Sequence, residues 1–309
     1  MKKWLVLIAI VIVAFIGGVY IFIPNVLTLK SSITINTSQK GLQRMLLDKK
    51  SIAKWWPGEN SQELFYLNGY TYQIHDNGMS LLPIIIENKK TAINSSLFII
   101  PLQDDSAKLE WVGKTISSYN PLTRLNSYLN ARKLNNDMGN ILQHMKQHYS
   151  LPENIYGCDI RREQVVDDKL ISTSGKCNGF PTTEFIYSLI AKLKNYAEEK
   201  STKITGYPML NIEPFDSTNY LVKVALPLEN LLPGNGDILQ KRMLKDGNIL
   251  IAKTEGGYVK TREVFNQIKN YANDYKMSSP AIPFYSLITD RTKERDSSKW
   301  VTKIYYPVR

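Results

Sequence analysis

The sequence predicts an α+β chain in three parts: an N-terminal transmembrane helix within 1–29, a domain over 30–150, and a domain over 151–309. The middle part reads strand, helix, antiparallel meander and long closing helix. In the last part a strand-helix-strand-strand unit occurs twice, about a pseudo-twofold. Three observations carry this. Trp4 to Ile23 is a charge-free apolar run, apolar periodicity switches between two and about 3.6 along the next stretch, and Lys194-Asn195-Tyr196-Ala197 recurs as Lys269-Asn270-Tyr271-Ala272.

Composition narrows the classes of function. With 43% hydrophobic and 22% charged residues and no low-complexity tract, the 309-residue chain is globular. Two cysteines exclude a Cys-rich metal site, and three histidines leave little for metal chemistry. The net charge of +11 is spread as +2, +5 and +4 over the three parts, without a basic stripe or a reading element, so no nucleic-acid partner is expected. No cofactor is expected either.

Met1-Lys2-Lys3 precedes the apolar run, and about 20 apolar residues suffice to span a bilayer core of roughly 30 Å. The run ends in Tyr20-Ile21-Phe22-Ile23 rather than a small-x-small cleavage site, which favours an uncleaved anchor. The two lysines before the span put the N-terminus in the cytoplasm and the globular domains outward, a single-pass inner-membrane protein of periplasmic orientation.

In the middle domain, Ser31 to Thr37 alternates as a strand with Ile33 and Ile35 on one face. Ser38 caps a helix whose stripe Leu42, Met45, Leu46, Ile52, Ala53 and Trp56 runs to Trp55-Trp56-Pro57-Gly58. Turns at Asn68-Gly69, Asp76-Asn77-Gly78, Asn88-Lys89 and Asp104-Asp105 punctuate the meander, and a long helix begins at Pro121. His144 and His148 stand at i, i+4, a spacing that can share a metal, but no third ligand is evident and a solvated face explains them.

This order, with the strand from Leu29 directly after the apolar run, the Trp pair ending the first helix, and the closing-helix stretch from Met138 to Lys146, resembles the SRPBCC superfamily. That resemblance to START-like, polyketide-cyclase-like proteins implies a helix-grip fold around an apolar cavity and no particular chemistry. Trp55 and Trp56 are then either core or a cavity lid.

In the last domain the helix stripe Leu189, Ile190, Leu193, Tyr196, Ala197 maps at an offset of 75 onto Val264, Phe265, Ile268, Tyr271, Ala272. Tyr207-Pro208 maps likewise onto Ile282-Pro283, Gly179-Phe180 answers Gly257-Tyr258, and Leu226-Pro227 answers Tyr306-Pro307. Two such units pair rather than stack as a solenoid, with a ligand groove at their junction.

Gly256-Gly257-Tyr258, the stretch Ala281-Ile282-Pro283-Phe284-Tyr285 with Thr289-Asp290, and the final Ile304-Tyr305-Tyr306-Pro307-Val308 resemble the GyrI-like small-molecule-binding domain, the effector-binding domain of AraC-type regulators. The resemblance implies an aromatic-lined pocket for an amphipathic, often cationic, small molecule, usually with a buried glutamate. Here Lys303 stands where that acidic residue would align, and Lys223 is its repeat mate. Either both lysines face the groove and make it basic, or both snorkel to solvent. The candidate ligand-binding residues are Phe180, Tyr207, Lys223, Tyr258, Phe284, Tyr285, Lys303 and Tyr305.

Cys158 and Cys177 are symmetric about Asp167-Asp168, so a simple hairpin would oppose them and permit a disulfide; two independent buried thiols are the alternative. No nucleophile elbow, phosphate loop or metal cluster is present. A non-catalytic, membrane-anchored binder of a small amphipathic or aromatic ligand is the leading expectation. The alternative is a hydrolase or isomerase using Glu184, Glu213, Glu255 or Glu263 as an acid of raised pKa.

Overall fold

Ser38 accepts a hydrogen bond from the Gly41 amide, and with that orphan donor satisfied the first helix of the middle domain begins. The computed structural model describes residues 2–61, 64–75, 81–89, 91–103, 105–166 and 168–309. The Asp76-Asn77-Gly78 turn, Asp104 and Asp167 lie outside them. The chain divides into two compact units, Met1–Leu151 and Pro152–Arg309.

The first unit opens with helix α1 (Lys2–Phe22). Among the described residues no helix is long and apolar enough to cross a membrane. This corrects the expected transmembrane anchor, and with it the inner-membrane localisation and the membrane as partner. The last turns of the apolar run are used in packing instead. Val19 and Ile23 are buried, and the Tyr20 hydroxyl donates to the Tyr119 carbonyl. The Arg124 guanidinium donates to the Ile23 carbonyl and lies 4.9 Å from the Tyr20 ring centroid.

Strand β1 (Val26–Ile35) follows at once, buried at Leu27, Leu29 and Ile35. The expected single helix is two. Asp48 takes an extended backbone (φ −94°, ψ 102°) between α2 (Gln39–Leu47) and α3 (Lys49–Ala53), and its carboxylate accepts from the Lys50 amide. Apolar spacing continues through such an internal cap, which is why the break is invisible to periodicity. The meander comprises β2 (Glu59–Ser61), β3 (Leu64–Leu67), β4 (Tyr70–Ile74), β5 (Leu81–Glu87), β6 (Ala92–Gln103) and β7 (Ser106–Ile116). Asn68 and Gly69, both at positive φ (49° and 82°), make the β3–β4 turn. The antiparallel sheet runs β1-β7-β6-β5-β4-β3-β2, so the first strand closes on the last.

Helix α4 (Pro121–Tyr149), capped by Asn120, packs along β1. Between the sheet and the helices Trp55, Trp56, Phe65, Tyr72, Trp111 and Tyr149 are all buried. Their polar tips are mostly engaged. The Trp55 indole N–H donates to the Tyr149 hydroxyl at 2.9 Å, Ser51 Oγ lies 3.0 Å from the same oxygen, and Trp111 donates to Ser95 Oγ at 2.9 Å. The Trp pair is therefore core.

The second unit begins with α5 (Pro152–Tyr156) and edge strand β8 (Ile160–Gln164). The first repeat is β9 (Lys169–Asn178), α6 (Thr183–Glu199), β10 (Met209–Pro214) and β11 (Asn219–Pro227). After the short strand β12 (Leu239–Arg242), the second is β13 (Asn248–Glu255), α7 (Tyr258–Asp274), β14 (Phe284–Leu287) and β15 (Val301–Pro307). The antiparallel order β12-β9-β11-β10-β14-β15-β13-β8 is symmetric about the β10–β14 pair, the pseudo-twofold seen from the sequence. Ile190, Leu193 and Ala197 of α6 bury against Val222, Val224 and Leu226. Gly175 lets α6 approach, since a Cβ there would lie 2.8 Å from Phe185 Cζ.

This topology disposes of the hairpin argument for a disulfide. Strands β8 and β9 occupy opposite halves of the sheet, β8 pairing with β13 and β9 with β11 and β12. Cys158 and Cys177 are both free thiols.

Candidate functional site

Each repeat brings a helix N-terminus to the middle of the sheet. Thr182 accepts from the Phe185 amide to start α6, and Gly257 occupies the equivalent cap of α7 after Gly256, whose φ of 132° suits glycine alone. Between these two starts lies a cleft of about 70 Å³. Thr183, Ile186 and Leu210 line it from the first repeat; Tyr258, Thr261 and Tyr285, each 75 residues further on, line it from the second. The cleft therefore straddles the pseudo-twofold.

Phe180 and Tyr258 meet at this cleft with ring centroids 4.2 Å apart, and Phe180 also packs edge-on to Tyr220 at 5.6 Å. Both rings of the first pair are partly exposed, 41% and 38%. Tyr285 lies deeper, against Phe265 of α7. Burial, and next the neighbouring Tyr258, push its phenol up to about 12, so near neutral pH it is a hydrogen-bond donor.

Of the residues expected from the sequence, Phe180, Tyr258 and Tyr285 come together here. The others do not line this cleft. Phe284 and Tyr305, paired across β14 and β15, stack at 4.9 Å with planes 5° apart. Period-two alternation sets them, with Lys303, on the sheet face opposite Tyr285 and the buried Ile304. The Lys223 ammonium is held 2.8 Å from Glu213 Oε2, and Tyr207 is 53% exposed. The candidate acids are elsewhere too: Glu263 pairs with Lys260 at 3.2 Å, and Glu184 is exposed, with hydrogen bonds from its own amide and Thr182 holding its carboxyl below the usual range. No carboxylate lines the cleft among the described residues.

Sequence reasoning did not single out the other lining residues, among them Arg291, the one charged side chain in the lining among the described residues, and Trp300. Both lie in the connection between β14 and β15, where no periodicity marks a side chain as inward. The Arg291 amide donates to the Tyr187 hydroxyl at 2.8 Å, and one guanidinium nitrogen donates to Thr302 Oγ1 at 3.0 Å. The guanidinium carbon is 4.6 Å from the Trp300 ring centroid, and the indole N–H donates to the Glu294 carbonyl at 2.8 Å. Burial lowers the pKa of Arg291.

The first unit has a larger, more open depression of about 210 Å³, floored by Pro57 and Leu67 and edged by Asn68, Asn140, Gln143 and His144. Its lining is rich in side-chain amides and lacks the aromatic rings of the repeat cleft.

No family model matches the chain, and no curated protein matches it. Many proteins of known structure are similar, three of them as follows. The EcmrR C-terminal domain is 15% identical with a TM-score of 0.42, covering 49% of this chain and 98% of that one; EcmrR in a DNA complex is 18% identical with a TM-score of 0.44, covering 60% and 70%. SAV2435 bound to tetraphenylphosphonium is 12% identical, TM-score 0.31, over 49% and 94%. The Zhui aromatase/cyclase from Streptomyces sp. R1128 is 10% identical, TM-score 0.30, over 40% and 93%. At these TM-scores nothing about the ligand or partners of this chain follows from any of the three.

Proposed function

We propose that the second unit binds a small aromatic or amphipathic molecule in the cleft between its two repeats. The observation that carries this is the pairing of lining residues at a constant offset of 75, Thr183 with Tyr258, Ile186 with Thr261 and Leu210 with Tyr285, around one aromatic-edged cavity. Small-molecule sites are concave, mostly apolar and furnished with a few polar groups, and they recur where structural units meet. The resemblance to GyrI-like domains points the same way. With no carboxylate in the lining among the described residues, binding rather than acid catalysis is the role the cleft supports.

A volume of about 70 Å³ is far below the roughly 300–1,000 Å³ of a drug-sized site. Binding therefore requires the Phe180–Tyr258 pair to part. The test is heteronuclear NMR of the full chain titrated with benzamide and benzoate. Saturable shifts at Phe180, Thr261 and Tyr285 for at least one of them, lost on Ile212→Trp, which fills the cleft, are expected. Absence of saturable shifts there with both compounds would sink the reading.

A further inference from the structure

The cleft contains a cation that its surroundings do not neutralise. Arg291 is half-buried, anchored through its amide to Tyr187 and through one guanidinium nitrogen to Thr302. A guanidinium has five N–H donors, and this single bond leaves most of them without a protein acceptor. The adjacent carboxylate does not serve it: Asp290 Oδ1 accepts from the Thr292 amide at 3.1 Å and the Thr292 hydroxyl at 2.7 Å. Among the described residues no carboxylate pairs with Arg291. Its guanidinium carbon lies 4.6 Å from the Trp300 ring centroid, a cation–π contact that helps hold the group in place without using its N–H donors.

Partial removal of a cation from water without a counter-charge is unfavourable, and an anion entering the site relieves it. A carboxylate fits the guanidinium edge with two parallel hydrogen bonds. The apolar and aromatic residues around it, Ile186, Leu210, Ile212, Phe180 and Tyr258, suit a hydrophobic body. Resting on the reading of this cleft as a binding site, we infer that its ligand is an anion, a small aromatic carboxylate whose charged end sits on Arg291 and whose ring lies toward Phe180 and Tyr258. The specificity-determining residue is thus Arg291. Lys303, on the opposite sheet face, and Lys223, paired to Glu213, do not supply this charge.

Benzoate and benzamide have nearly the same shape and differ in charge, so titrating the full chain with each isolates the electrostatic contribution. The expected result is a Kd for benzoate at least about tenfold lower than for benzamide, reduced to within about twofold by Arg291→Gln. Arg291→Lys, which keeps the charge but loses the fork, should retain a smaller preference and decides the matter if Arg291→Gln does not fold. Equal affinities in the unmodified protein, or a preference that survives Arg291→Gln, would overturn the inference while leaving the binding cleft intact. Failure of both compounds to bind would overturn the cleft reading, and this inference with it.

Discussion

The ring of Phe180, just ahead of α6, rests 4.2 Å from the ring of Tyr258, the first residue of α7. Tyr258 takes the place that Thr183 holds in the first repeat, so the pseudo-twofold brings two equivalent helix starts together, and the aromatic pair lines the cleft between them. Aromatic pairs contribute about 0.5–1.5 kcal/mol beyond their buried area. Phe180→Ala should lower stability by about that amount in a denaturant titration. It should also speed ligand association, measured by stopped-flow fluorescence, because a gate is removed. Unchanged association would show that the pair does not gate entry.

The first unit depends on the Tyr149 hydroxyl. It accepts from the Trp55 indole N–H and lies 3.0 Å from Ser51 Oγ, in a fully buried position where burial raises its own pKa. Tyr149→Phe leaves a buried indole N–H without an acceptor, at a cost of about 1–3 kcal/mol. Chemical denaturation followed by tryptophan fluorescence would measure it, and a change below about 0.5 kcal/mol would mean that water replaces the hydroxyl.

The turn between β10 and β11 is pH-sensitive through Asp216. The Asn219 side chain and the amides of Thr218 and Asn219 bond to its carboxylate and lower its pKa to about 2 from an ordinary 3.8. A depressed folded-state pKa adds stability that is fully present above the unfolded value and lost as pH falls through the folded one. Asp216→Ala should therefore lower the unfolding midpoint at about pH 6, and the difference from the unmodified protein should shrink between about pH 4 and pH 2. A difference independent of pH over that window would exclude the carboxylate as its source.

Cys158 should be a slow thiol. Burial, then the nearby Asp159, push it up to about 11, leaving little thiolate at neutral pH. Iodoacetamide at about pH 7 should label it more than about tenfold more slowly than free cysteine, and peptide mapping should recover Cys158 and Cys177 unbridged. A recovered bridge would contradict the strand order that separates β8 from β9.

Much of the second unit was legible because a repeat is a strong signal. Matching stripes on α6 and α7 and matching Pro-terminated strands β11 and β15 can be read residue by residue, and each demands the same local structure. Phe180, Tyr258 and Tyr285 were legible for the same reason. Arg291 and Trp300 were not, since the segment joining β14 to β15 has neither period nor repeat mate, and only the folded sheet turns them toward the cleft.

Local pattern also cannot say which strand pairs with which. The symmetry of Cys158 and Cys177 about one turn implied a hairpin, yet β8 pairs with β13 from the second repeat and β9 with β11, because long-range ladder bonds outweigh proximity in sequence. Likewise the apolar run ending at Ile23 carries no mark of its partner, and it is Tyr119 and Arg124, about 100 residues away, that engage its last turn. By itself the sequence determined the α+β class, the duplication and the aromatic character of the cleft, since these follow from periodicity and residue type. Tertiary structure alone decided strand order, the burial of Trp55, Trp56 and Tyr149 in the first unit, and the choice of Arg291 over Lys303 as the charge at the cleft. Those depend on which faces meet, a property of packed pairs rather than of any one segment.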